Sequence, residues 1–121
     1  VTAVVLIVED NARNLKLVRD VLGHAGYEVL EAGDGESGVA LAVSRRPDVI
    51  LMDVNLPGID GVEALARLRA DPRTAGIPVA ALTAYAMNED RARFEAAGFD
   101  GYLEKPVDVR ALPGQVEALL R

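Results

Sequence analysis

Short, wholly apolar runs alternate with longer amphipathic ones along this chain, and that alternation constrains its fold more than any other feature. Residues 3–8 (AVVLIV) are continuously apolar and β-branched. Such a run is too short for a stable helix and apolar on both faces, which is how a strand reads when helices cover both sides of its sheet. Pro47 and Asp48 lead into a second run at 49–52, and Ile77 and Pro78 open a third at 79–82. Weaker, more polar strands are expected at 27–32 and 101–103, the first of them carrying Glu28 and Glu31 as an edge strand would.

Helical patterns fill the intervals. Asn11 is placed to cap a helix that carries Leu15, Val18 and Leu22 on one face, with Leu17 and Val21 widening it. Gly26 is placed to end that helix in a left-handed turn. Further helices are expected over 36–45, 61–70, 86–97 (stopped by Gly98) and 110–120, the last beginning late so that Pro113 falls in its first turn. Strand and helix therefore alternate five times with short loops. Right-handed crossovers then make a parallel sheet with helices on both faces, an α/β fold. The 121 residues read as a single domain, 1–121, with no linker or repeat and no room for an output domain.

Composition removes several functional classes. There is no cysteine, hence no disulfide and no thiolate metal site, and a cytoplasmic location is expected. The longest apolar runs are about six residues, far short of the ~20 that span a bilayer, and no signal peptide is apparent. A formal charge of −6 disfavours nucleic acid and anionic membrane as partners.

In a parallel sheet every strand's C-terminal end lies on one edge, where ligands bind. The first strand runs into Glu9 and Asp10, the third into Asp53, the fourth into Thr83 and the fifth into Glu104, Lys105 and Pro106. Two carboxylates ~4 Å apart repel by roughly 4 kcal/mol at an effective dielectric of ~20, so such a cluster implies a compensating cation. Hard oxygen donors without His or Cys suit Mg²⁺. An acidic pocket with Mg²⁺, an ammonium and a hydroxyl is poised to accept a phosphoryl group onto a carboxylate.

At these residues the chain resembles the response-regulator receiver family of two-component systems. The matching segments are VLIVEDN (5–11), PDVILMDVNLPGIDG (47–61), ALTAYAM (81–87) and KP (105–106), which span nearly all of it. The likeness is greatest to single-domain regulators of the cell-cycle phosphorelay type. The resemblance implies a flavodoxin-like, doubly wound (βα)₅ sheet in the order 2-1-3-4-5. It implies that Asp53 accepts a phosphoryl group from a phosphohistidine on a histidine kinase or phosphotransfer protein. That donor would dock against Leu15, the exposed neighbours Arg13 and Asn14, and Pro106. Asp10 would ligate Mg²⁺ directly, Glu9 through water, and Asp53 and the backbone carbonyl of Asn55 would complete the protein ligands. Lys105, joined to Pro106 by a cis bond, would pair with the phosphoryl group, and Thr83 would hydrogen-bond it. Tyr102 occupies the position of a rotameric switch, Ala84 leaves the pocket mouth open, and Asn55 and Tyr85 stand where phosphoryl loss is tuned. A downstream effector would read the face built from the fourth helix, fifth strand and fifth helix. The chain would act as a monomer, with phosphorylation-dependent dimerisation left open, and would catalyse only its own phosphoryl acceptance and slow autodephosphorylation. The same resemblance admits a receiver module cut from a hybrid histidine kinase.

Two other readings compete. Gly33, Gly35 and Gly38 form G-x-G-x-x-G after a strand, with Asp53 about 20 residues on, as in a dinucleotide-binding unit. Asp34 and Glu36, however, would place negative charge where a pyrophosphate must sit. An aspartate-nucleophile phosphohydrolase would need a second Asp two residues after the first as general acid, and Asn55 stands there.

Overall fold

The computed structural model describes residues 2–84 and 88–120, with backbone alone for 88–90. Five strands and five helices alternate: β1 (Val4–Val8), α1 (Ala12–His24), β2 (Glu28–Ala32), α2 (Gly35–Arg45), β3 (Val49–Asp53), α3 (Gly61–Ala70), β4 (Val79–Thr83), α4 (Asn88–Ala97), β5 (Gly101–Glu104) and α5 (Leu112–Leu120). All strand pairs are parallel and the sheet order is β2-β1-β3-β4-β5. The expected α/β architecture is the observed one. The polar strand β2 lies at an edge, and the buried runs β1, β3 and β4 occupy the centre.

Alternate residues of each central strand feed two separate cores, as the period of two requires. On one face Leu6, Val8, Ile50, Met52 and Ala81 pack with Ala42 of α2, Leu65 and Leu68 of α3 and Phe94 of α4. On the other, Val5, Ile7, Leu51 and Leu82 meet Val18 and Leu22 of α1 and Leu112 and Val116 of α5. Helix α1 is narrower than its sequence implies: Val18 and Leu22 are buried and Leu15 and Val21 half-buried, but Leu17 is exposed. Helix α1 shares its side of the sheet with α5, so a single stripe of Val18 and Leu22 is what it buries.

Asn11, Asp34 and Asp60 cap α1, α2 and α3 by accepting first-turn backbone N–H bonds. Gly26 and Gly98 take positive φ values of 100° and 104° after α1 and α4, as the sequence implies. Helix α2 ends differently, on Arg46 at φ 43°, a left-handed residue with no glycine to mark it. Among the described residues no helix is long and apolar enough to cross a membrane.

At the N-terminal edge of the sheet, two aspartates tie strands together. Asp48 Oδ2 accepts from Val4 N at 2.7 Å, and Asp100 Oδ2 accepts from Val79 N at 2.8 Å. Asp100 also pairs with Arg69 at 2.7 Å, whose guanidinium donates to the carbonyls of Ala75, Ile77 and Gly98. Asp100→Ala leaves the Val79 N–H without its acceptor and Arg69 without its counterion. The expected loss is about 1–3 kcal/mol, seen as a lower urea midpoint at unchanged m-value. An unaltered midpoint would show that this network adds nothing to stability.

Candidate functional site

Register brings the reactive residues together. Val8 is level with Met52, Asp53 with Leu82, and Thr83 with Glu104. Backbone bonds extend the alignment past the strand ends: Glu9 N donates to Ala32 O at 3.0 Å and Lys105 N to Thr83 O at 2.8 Å. Glu9, Asp53 and Thr83 are each at most 3% exposed, while Asp10 stands open at the rim. Carboxylate oxygens of Glu9, Asp10 and Asp53 all lie within 4.8 Å of one another.

Lys105 reaches across the cluster. Its Nζ lies 3.0 Å from Glu9 Oε1, 3.3 Å from Glu9 Oε2 and 3.0 Å from Asp53 Oδ2. The Lys105–Pro106 bond is cis, as the resemblance implies. Asp53 Oδ1 accepts from the backbone N–H of Asn55 at 3.0 Å. The Oδ1 oxygen of Asp53 is thus held from below by the loop, and Oδ2 is engaged by the ammonium.

The charges do not share this environment equally. Burial alone would raise the Asp53 carboxyl, but hydrogen bonds from Glu9, Lys105 and the Asn55 N–H outweigh it and hold the group below the ordinary aspartate value. Glu9 is pushed up to about 7, chiefly by burial and then by its hydrogen bond with Asp53, against the opposing pull of Lys105 and Asn14. Burial would lower the Lys105 ammonium, but Glu9 and Asp53 outweigh that and raise it. One ammonium therefore does not neutralise the pocket. The donor set, hard carboxylate oxygens of Glu9, Asp10 and Asp53 crowded at one point, fits a small divalent cation such as Mg²⁺.

Of the residues singled out in the sequence, Glu9, Asp10, Asp53, Asn55, Thr83 and Lys105 meet at this edge. Ala84 is exposed beside them. Tyr102 lies one strand over, half-buried on β5, with the Arg91 guanidinium 4.7 Å from its ring centroid. Tyr85 and Met87 fall outside the described residues. One member of the site is not what its sequence position suggests. Asn14, expected to be an exposed docking neighbour, is half-buried and donates its side-chain amide to Glu9 Oε1 at 2.8 Å. Its position in the first turn of α1, five residues after Glu9, is a signal only once the helix start is known.

The G-x-G-x-x-G segment does not form a phosphate cradle. A Cβ on Gly35 would come within 2.6 Å of Ile59 Cγ1, and one on Gly38 within 2.7 Å of Val8 Cγ2. These glycines let α2 pack tightly on β1 and on the loop after β3, so protein already fills the space a pyrophosphate would need.

Known proteins resemble this chain in sequence and fold. The Response regulator receiver domain family matches residues 5–117. The chain is 45% identical over 117 residues to the DNA-binding dual master transcriptional regulator RpaA of Synechocystis, covering 97% of this chain but only 48% of that protein. It therefore spans about half the length of that relative. It is 43% identical to the polar-differentiation response regulator DivK of Brucella anthropi, covering 87% of this chain and 85% of the other. Its fold superposes with a TM-score of 0.91, at 35% identity and with 99% and 98% of the two chains covered, on a receiver domain from a sensor histidine kinase of Pseudomonas aeruginosa. That structure holds a magnesium ion coordinated in its active-site cleft. With this match along nearly the whole chain, and the acidic pocket at the sheet edge, the chain belongs to the response regulator receiver domain family and is a phosphorylation-dependent switch of two-component signalling.

Proposed function

We propose that Asp53 accepts the phosphoryl group, from a phosphohistidine on a histidine kinase or phosphotransfer protein, with Mg²⁺ held by Asp10, Asp53, the Asn55 carbonyl and, through water, Glu9. The observation that carries the reading is the placement of Lys105 Nζ, 3.0 Å from both Glu9 and Asp53 within a three-carboxylate cluster. Bound Mg²⁺ would supply positive charge to phosphoryl oxygens. The magnesium in the cleft of the Pseudomonas relative supports that assignment.

The chain's own groups do the rest. The Asn55 N–H on Oδ1 orients the Asp53 carboxylate, which is ionised and so can attack as the nucleophile. Lys105 exchanges its contact with Asp53 Oδ2 for the arriving phosphoryl oxygens while Glu9 keeps it over the pocket. Thr83, at the end of β4, hydrogen-bonds the phosphoryl group and draws the following loop inward. Tyr102 then responds on β5, and an effector protein reads the face of α4, β5 and α5. Ala84 keeps the mouth open, and Asn55 with Tyr85 tunes phosphoryl loss. Asn55 also has no carboxyl with which to protonate a leaving alcohol, so the chain turns over no external phosphoester and acts catalytically only on itself. The work takes place in the cytoplasm, and the monomer is the resting form.

The test is Mg²⁺-dependent labelling. Incubated with acetyl phosphate and Mg²⁺, the protein is expected to gain one phosphoryl group by intact-mass measurement, and EDTA in excess of the metal is expected to reduce labelling to background. Undiminished labelling in EDTA would contradict the metal assignment.

A further inference from the structure

The glycine-rich turn before α2 has no part in the reading above, yet it touches the loop that carries Asn55. Glu36, in the first turn of α2, accepts a hydrogen bond from the backbone N–H of Ile59 at 3.0 Å through Oε1. Gly58 lies directly under the same carboxylate: a Cβ there would stand 2.9 Å from Oε1 and 3.2 Å from Oε2, and its φ is 75°. Gly35 approaches Ile59 so closely that a Cβ would fall 3.0 Å from the Ile59 carbonyl oxygen. Two glycines without side chains, one on each segment, are what permit this contact.

The loop from Val54 to Asp60 is held in two places. Near β3 it is fixed by Val54 N to Leu82 O at 3.1 Å, by Gly61 N to Val54 O at 3.0 Å, and by burial of Leu56. At its outer turn, Pro57 and Gly58 are exposed and Ile59 half-buried, and the Glu36 carboxylate is the side-chain acceptor on that stretch. Asn55, whose carbonyl is a proposed cation ligand, lies at the inner anchor between buried Val54 and Leu56, and only Leu56, Pro57 and Gly58 separate it from the outer clamp at Ile59.

We infer that Glu36 is a positioning residue for the phosphoryl-accepting site: it clamps the outer turn of the β3–α3 loop and so presets the Asn55 carbonyl for the divalent cation. The inference rests on the functional reading above. Preorganising a ligand lowers the ordering cost at binding, so loss of the clamp acts on metal affinity more than on the attacking carboxylate. A net hydrogen bond of this kind corresponds to about a fivefold change in an equilibrium constant.

The experiment uses calorimetric titration of the metal-free protein with Mg²⁺, together with amide hydrogen exchange at Ile59 and Asn55. Glu36→Ala is expected to weaken Mg²⁺ binding by about threefold to fivefold and to speed exchange at both amides. Labelling by acetyl phosphate at saturating Mg²⁺ should stay close to wild type. Glu36→Gln keeps a carbonyl oxygen for the Ile59 N–H and should restore affinity, whereas Glu36→Asp, one methylene short, should not. Gly58→Ala pushes the carboxylate aside and should lower Mg²⁺ affinity alike, with little further loss when combined with Glu36→Ala. Wild-type Mg²⁺ affinity in Glu36→Ala, or affinity lost equally in Glu36→Gln, would overturn the clamp. Failure of the wild-type protein to bind Mg²⁺ or to be labelled would instead overturn the site assignment on which the clamp rests.

Discussion

Asp53→Asn protein, incubated with acetyl phosphate and Mg²⁺ under conditions that label the wild type, should take up no phosphoryl group. The substitution is nearly isosteric. Its side-chain oxygen can still accept from the Asn55 N–H, and Lys105 still has Glu9 at 3.0 Å, so the fold has no reason to change. What disappears is the nucleophile itself, because an amide nitrogen or oxygen cannot form the acyl phosphate that a carboxylate forms. The other carboxylates are not substitutes. Glu9 is buried, pushed up to about 7 and bound to Lys105 and Asn14, and Asp10 sits at the rim. The expected effect is thus loss to background and not a graded decrease, with an unchanged far-ultraviolet circular dichroism spectrum. Mg²⁺ affinity should fall as well, since one of three clustered carboxylates loses its charge. Labelling that persisted in the folded variant would place the acceptor elsewhere and remove the basis of the proposed chemistry.

Gly61→Ala should have the largest structural effect of any single methyl group added near the site. Helix propensity alone argues the other way, though at the first residue of α3 by less than the about 0.8–1 kcal/mol by which alanine is favoured over glycine in a helix interior. Here the added Cβ would lie 2.5 Å from Asp53 O, 2.8 Å from Val54 Cα and 3.2 Å from Asp53 C, all of them backbone atoms. No rotamer change relieves such contacts. Either α3 or the end of β3 must move, and overpacking of this kind costs about 1–3 kcal/mol. The clash outweighs the propensity gain, and the melting temperature is expected to fall by roughly 5–10 °C. The displaced backbone is that of Asp53, so labelling should slow as well, toward ~10²-fold for a shift of about 1 Å. Gly23 in α1 supplies the contrast: nothing lies within 4 Å of its would-be Cβ, and Gly23→Ala should stabilise by about 0.5–1 kcal/mol. If Gly61→Ala melted no lower than wild type and labelled at the same rate, the close approach of α3 to β3 would be wrong.

The sheet and most of the pocket are legible in the sequence because their signals are local. A five-residue β-branched run is apolar on both faces only if both faces are buried. Once β1, β3 and β4 are parallel, the residues just after them share an edge by necessity. Glu9, Asp10, Asp53, Thr83 and Lys105 can therefore be grouped from their offsets to apolar runs. Helix ends are legible where a glycine marks them, at Gly26 and Gly98, and not at Arg46, where a non-glycine residue takes φ 43°. The inward turn of Asn14 is not legible, because a polar residue near a helix start looks the same whether it faces water or the inner carboxylate of Glu9.

By itself, the sequence determined the class of fold, the edge at which chemistry occurs and the residue types that gather there. All of these follow from periodicity and from the polarity of a parallel sheet. Only the tertiary structure decided which oxygen of Asp53 faces Lys105, that Arg69 joins α3 to Asp100, and that Gly35 and Gly38 serve packing instead of phosphate. It also decided that Glu36 meets Ile59. Those contacts link residues 23 to 52 positions apart, through side-chain directions that no local pattern records. They are set by how closely two backbones approach, a distance that depends on every side chain between them.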